Sequence, residues 1–192
     1  MRYILMLTVL SLVCFVFIIS CAKPQGTTPS EKRQYILNME EQTMAELYAR
    51  RPESKVQVDK SAGYAVFSNI NTQLLFFGGG NGYGVAVDRS TGKKTYMRML
   101  QASAGIGVAL KDFREVMIFR NAQSFRNFVT KGWDMSVQAG AGAKTEEQGG
   151  AESGAISVSE DIITYHITSE GIELRTNVAG KKYWQDNELN YN

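Results

Sequence analysis

Gly78-Gly79-Gly80-Asn81-Gly82-Tyr83-Gly84-Val85-Ala86-Val87-Asp88 is the stretch on which the reading of this chain turns. So many glycines invite a phosphate-binding loop. No frame in the stretch gives G-x-G-x-x-G, because Tyr83, Val85 or Val87 falls where the last glycine should be. A phosphate cradle also needs a helix N-terminus behind it, and this stretch runs on in period two. Tyr83, Val85 and Val87 alternate with Gly84 and Ala86, which is the pattern of a half-buried strand. Nearby, Gly92-Lys93-Lys94 has neither the upstream glycine nor the Ser/Thr of a P-loop.

Other segments repeat the two-residue period. Trp133, Met135, Val137 and Ala139 alternate with Asp134, Ser136 and Gln138; Ile172, Leu174, Thr176 and Val178 alternate with Glu173, Arg175 and Asn177. Val116-Met117-Ile118-Phe119 is apolar on both faces and reads as a central strand. Turn signals at 88–92, Lys111-Asp112 and Ser169-Glu170-Gly171 separate the strands closely enough for hairpins. The expectation is an α+β fold dominated by antiparallel β: a twisted sheet closing into a barrel or sandwich, with an N-terminal helix and one inserted helix.

Glycines share a parity with alanine at Gly82, Gly84, Ala86, at Gly105, Gly107, Ala109, and again at Gly140 and Gly142. Successive strand side chains alternate faces, so each strand has one face nearly free of side chains. Two accounts stand: close packing in a tapering barrel or against a docked helix, or a smooth groove for an acyl chain or flat ligand.

The helices announce themselves by their ends. Thr28 suits an N-cap, Pro29 the first helical position and Glu31 the third position of a capping box. Ile36, Met39, Thr43 and Leu47 recur at helical spacing, and Arg50-Arg51-Pro52 closes a helix spanning 28–51. This helix is neutral, which favours docking on the domain over lying on a membrane. A second helix runs from an Asn121 cap through Phe125, Phe128 and Val129 to Gly132. Residues 144–154 lack any apolar pattern and read as a loop.

Upstream, Arg2 precedes an apolar run from Tyr3 to Ser20, the order of a secretory signal. Ile18-Ile19-Ser20-Cys21 resembles the lipobox of a bacterial lipoprotein, and Lys23-Pro24-Gln25 is no stop-transfer cluster. The expectation is a signal at 1–20, a lipidated tether at 21–27 and one domain at 28–192. It implies cleavage before Cys21 and acylation of that cysteine.

Removing 1–20 from the 192 residues leaves a chain long enough for one real core. Only Arg2 among the 21 basic residues is lost, leaving near-neutrality against 19 acidic ones, so no charge excess points to nucleic acid. Cys14 leaves with the signal and Cys21 would be acylated, so the folded part offers no disulfide, thiolate metal site or cysteine nucleophile. The single histidine, His166, lies on the parity of Thr164 and Thr168 and reads as an exposed or hydrogen-bonded strand residue rather than a catalyst. No carboxylate pair stands at a spacing that compels acid/base chemistry. Neither metal nor cofactor nor enzymatic activity is expected. Basic residues gather at Lys93, Lys94 and Arg98 on one hairpin and at Lys111 and Arg114 on the next. They read as solvated loop charge or as a patch for lipid phosphate.

Gly63 to Trp184 resembles the SYLF domain, a lipid-binding family. The resemblance rests on Gly63-Tyr64-Ala65-Val66-Phe67, Gly78 through Asp88, Lys94-Thr95-Tyr96-Met97-Arg98-Met99, Lys111-Asp112-Phe113-Arg114, Gly132-Trp133 and Val178-Ala179-Gly180-Lys181-Lys182-Tyr183-Trp184. It implies binding of anionic phospholipid without catalysis. The actin and phosphoinositide ligands of eukaryotic members do not carry over to an exported bacterial chain. The implied protein is a lipoprotein of the cell envelope, anchored at the outer membrane through Cys21 and facing the periplasm. It would bind phospholipid through Lys93, Lys94, Arg98, Lys111 and Arg114. The alternative is an envelope-assembly protein whose domain binds a protein partner, itself unnamed by the sequence.

Overall fold

The computed structural model describes residues 23–74, 77–104, 113–134, 155–159, 161–168, 171–172 and 180–191. The expectations that rest on Cys21, Lys111, the 105–109 and 140–142 glycines and the 144–154 loop lie outside these residues.

Among the described residues nine strands form one antiparallel sheet: β1 (Gly63–Leu74), β2 (Phe77–Asp88), β3 (Lys94–Ala104), β4 (Phe113–Phe119), β5 (Trp133–Asp134), β6 (Ala155–Ser159), β7 (Ile162–Thr168), β8 (Gly171–Ile172) and β9 (Gly180–Gln185). Their order is β5-β9-β3-β2-β1-β4-β7-β6, with β8 also paired to β7. The β2–β3 hairpin matches the turn read at 88–92; β4 pairs with β1 and not with β3, so the strands on either side of Lys111-Asp112 do not form the hairpin expected there. The register Tyr64↔Val87, Val66↔Val85 and Ser68↔Tyr83 puts the decisive alternation of β2 against the matching alternation of β1.

The two ends of this order are different strands, so the expected barrel is corrected to a single open sheet among the described residues. The reason is what covers it. An antiparallel sheet needs closure or stacking only when one of its apolar faces would otherwise stay wet. Here helices take that part on both sides.

On one face lies α1 (Pro29–Arg50), joined by α2 (Glu53–Asp59) and α4 (Asn187–Tyr191). Ile36, Met39, Met44 and Leu47 of α1, Val58 of α2 and Leu189 of α4 pack with Val66, Tyr83, Val85, Tyr96, Val116 and Ile118 of the sheet. The α1 start is as the sequence reads. The Thr28 hydroxyl accepts from the Glu31 amide at 3.2 Å, and the Glu31 carboxylate accepts from the Thr28 amide at 3.0 Å. Pro52 ends α1 and serves at once as the N-cap of α2, a helix the sequence reading did not contain. That reading assigned no element between Pro52 and the strands that begin near Ser61.

The other face carries α3 (Ala122–Lys131), capped by Asn121, whose Oδ1 accepts from the Ser124 amide at 2.7 Å. Phe125 and Phe128 pack with Phe67, Met97, Met99, Met117, Phe119 and Tyr183. Gly132 closes α3 at φ 70°, against the backbone carbonyl of Tyr183. A side chain there would meet both a left-handed backbone and that carbonyl.

Candidate functional site

The two accounts of the glycine faces are separated at Gly82 and Gly84. A β-carbon on Gly84 would lie 2.5 Å from Cδ1 of Phe67 and would run into the Val66 carbonyl. On Gly82 it would crowd Met99. The space these glycines leave is filled by Phe67 and Met99, so here the small residues serve close packing and do not line a groove.

Beyond Phe67 on the same face lies a cluster of buried polar groups. Glu115 of β4 faces His166 of β7 in register and sits opposite Phe67 of β1. Lys181 and Tyr183 reach it from β9 across the sheet face. The Lys181 ammonium donates to both Glu115 oxygens, at 3.0 and 3.2 Å, and the Tyr183 hydroxyl donates to Oε2 at 2.9 Å. Nε2 of His166 lies 3.3 Å from both Lys181 Nζ and Glu115 Oε1. A neutral ring there either accepts from the ammonium or donates to the carboxylate. Phe113 stacks on the imidazole at 5.1 Å between centroids, and Lys181 Nζ stands 4.9 Å from the centre of the same ring. Gln101 and Asn69 continue the polar seam through a bond from Asn69 Nδ2 to Gln101 Oε1 at 3.3 Å.

Glu115 is 2% exposed. Burial alone pushes its carboxyl up; the Lys181 ammonium and then His166 more than reverse this and hold it well below the ordinary carboxylate range. The Tyr183 hydroxyl moves the other way, raised by its burial and by the neighbouring Glu115 charge. The Lys181 counter-charge, together with three hydrogen bonds to one carboxylate, is what makes the buried group tolerable. All the reactive groups are spent on one another. The cluster is therefore read as a core ion pair that fixes β4, β7 and β9 in register.

The sequence placed His166 on the correct parity, but its burial comes from the sheet around it. Glu115 and Lys181 were missed. A charge inside the apolar run Phe113–Phe119 was the available signal, yet its partner lies 66 positions away.

The basic residues form a second grouping. Lys94 and Arg98 of β3 and Arg114 of β4 all lie on the α1 face, toward its rim, and Lys93 sits in the turn before β3. Each of the three is close to a carboxylate: Lys94 to Glu40 at 3.8 Å, Arg98 to Asp186 at 3.4 Å and Arg114 to Glu46 at 3.8 Å. Two of the partners come from α1. The grouping is thus a fringe of half-exposed ion pairs rather than a bare cationic patch. Arg98 and Arg114 share one register row through Tyr83 and Ser68, although they stand on hairpins that the sequence kept apart. Among the described residues no cluster of His, Cys, Asp and Glu could hold a metal ion, and no helix is long and apolar enough to cross a membrane.

Fold and site together define a single-sheet α+β domain with helices on both faces, an internally neutralised core charge and a basic rim. No family model matches the chain. The chain is similar to Beta cell expansion factor A of Aeromonas veronii, with 34% identity over 164 residues, 84% of this chain and 60% of that protein. It therefore spans about 60% of the length of this curated relative.

Proposed function

We propose that the chain is a non-catalytic, membrane-anchored lipoprotein whose SYLF-like domain binds anionic phospholipid, held at the bacterial envelope by an acylated Cys21. The observation that carries this reading is the rim of the α1 face, where Lys94, Arg98 and Arg114 are half in solvent and Lys93 stands in the adjoining turn. Their carboxylate partners do not abolish the attraction. An exposed ion pair is worth about 0–1 kcal/mol, so a lipid phosphate displaces it at little cost. Each cation near an anionic bilayer contributes about 1 kcal/mol, within a Debye length of about 8 Å at physiological salt. The net gain per residue is small, and affinity comes from several acting together with the anchor.

The experiment is vesicle flotation of the chain from residue 21 carrying Cys21→Ser, so that any retention belongs to the domain. It should float with anionic vesicles at low salt, lose binding as salt rises, and ignore neutral vesicles. Arg98→Gln/Arg114→Gln should weaken anionic binding by about fivefold without changing the melting temperature by more than a degree or two. A chain that stays at the bottom with anionic vesicles at low salt removes the lipid reading and leaves a protein-binding role in envelope assembly.

A further inference from the structure

Beyond the row of Arg98, Tyr83, Ser68 and Arg114 the long strands run on, and the α1 face changes character. The next register row is Lys182 of β9, Leu100 of β3, Asn81 of β2 and Ile70 of β1. Ile70 is 44% exposed and Leu100 42%, two of the large apolar side chains left in solvent among the described residues. They flank Asn81 from opposite sides, two strand spacings or about 10 Å apart. Lys182 at one end of the row is exposed. Behind Ile70 lies a notch of about 320 Å³ lined by Ser68, Ile70, Phe113, Arg114 and Ile167, among others. The β1–β2 pair then continues for four more residues, about 13 Å, to the apolar register pair Leu74↔Phe77.

This combination is specific in its chemistry. Two exposed aliphatic side chains project from a rigid sheet rather than a loop. Lys182 stands beside Leu100 in the same row, and Arg98 and Arg114 lie in the row behind, one on the strand of Leu100 and one on the strand next to Ile70. Cations beside and behind an apolar projection match the boundary of an anionic bilayer, where headgroup phosphates lie just outside the acyl region.

We infer that this end of the sheet is the bilayer-contacting end of the domain: Ile70 and Leu100 enter the acyl boundary of an anionic membrane while Lys182, Arg98 and Arg114 meet its phosphates. This rests on the lipid-binding reading above and narrows it: of the rim cations Arg98 and Arg114 lie at this end, whereas Lys93 and Lys94 stand by the opposite turn, next to α2, whose Asp59 pairs with Arg89 and which is held away from the membrane.

The test uses the full chain in vesicles of anionic lipid and brominated phosphatidylcholine, a quencher confined to the acyl region. Leu100→Trp and Val56→Trp each add one fluorophore to the constant background of Trp133 and Trp184. Val56, on α2, is 54% exposed and serves as the position held away from the bilayer. The tryptophan added at 100 should lose at least half its emission and shift to the blue, and the one added at 56 should do neither. Quenching at 56 equal to that at 100, or none at 100, overturns the orientation. Ile70→Glu/Leu100→Glu, both at exposed positions, should weaken flotation of the Cys21→Ser chain on anionic vesicles by at least about tenfold with its melting temperature kept; unchanged flotation overturns the inference as well. If the wild-type domain floats while position 100 stays unquenched, lipid binding stands and only the orientation falls. If the wild-type domain does not float, the underlying lipid reading has failed.

Discussion

On the α1 face of the sheet, Lys94–Glu40, Arg98–Asp186 and Arg114–Glu46 meet at 3.4–3.8 Å in partial contact with water. On the α3 face a single carboxylate, Glu115, is sealed from water and accepts from Lys181 and Tyr183 at 2.9–3.2 Å. The first arrangement tolerates loss of a partner, because water takes its place. The second does not, because nothing replaces it. Charges at the rim are thus available for exchange with an outside ligand, and those in the core are committed to the fold. The same residue types, lysine and glutamate, serve opposite ends through burial alone.

The comparison is put under most strain by removing Glu115. Glu115→Ala leaves the Lys181 ammonium buried without its counter-charge and should cost about 3–5 kcal/mol, read from urea unfolding. Glu115→Leu with Lys181→Met should recover most of that loss, since replacing both partners with apolar groups of similar size is often neutral or better. If the single variant unfolds no more easily than wild type, the core and rim pairs are alike after all.

Packing around the buried cluster supplies the next largest effect. Gly84→Leu drives a side chain into Phe67 and the Val66 carbonyl and should cost about 1–3 kcal/mol by denaturant unfolding. Unaltered stability would mean that this face is looser than its contacts indicate.

On the α1 side, Thr28→Ala removes one half of the capping box and should cost about 1 kcal/mol in thermal unfolding. The companion carboxylate gives an acid-pH signature. Hydrogen bonds from the Thr28 and Thr27 backbone and the Thr27 hydroxyl hold Glu31 at about 2, below its ordinary 4.5. A carboxylate lowered on folding stabilises fully above its unfolded value and loses that contribution as pH falls through the folded one. Stability should therefore decline between pH 4.5 and about 2, and Glu31→Gln should flatten that part of the curve. Glu115 is lowered as well, so it adds to the loss as pH falls below 4.5, and Glu31→Gln should lessen the slope rather than abolish it.

The smallest effect is expected at the rim. Arg114→Gln, which breaks the pair with Glu46, should change stability by less than about 0.5 kcal/mol in the same unfolding assay. A loss comparable to that of Glu115→Ala would place the rim pairs in the structural class and weaken their role as lipid contacts.

What could be read from the sequence follows the range of the interactions. The alternation at Tyr83, Val85 and Val87, the Thr28–Glu31 box, the Asn121 cap and the Gly132 stop are local patterns, and each holds in the structure. The seven residues of α2 hold only Val56 and Val58 as apolar positions, too few to show a helical period. The barrel expectation failed because periodicity reveals that a strand has an apolar face and not what covers it. Grouping the basic residues by hairpin missed both their common face and the carboxylates of α1 that come to meet them. Glu115 and Lys181 belong together only through the order β9-β3-β2-β1-β4, which no local signal encodes.

The ends of the described chain also meet. Lys32 pairs with Glu188, and Arg33 donates to the Leu189 carbonyl at 3.1 Å, across 156 positions of sequence. β9 likewise waits to pair with β3, Met97 meeting Gln185. A fold closed by contacts this distant along the chain searches slowly, on the scale of milliseconds to seconds rather than the microseconds of helical bundles. The β1–β2–β3 meander can assemble early from neighbouring segments, but the α1 layer gains its α4 partner, and Glu115 its counter-charge, only when the last strand and helix arrive. The stretch 180–191 thus completes both layers at once.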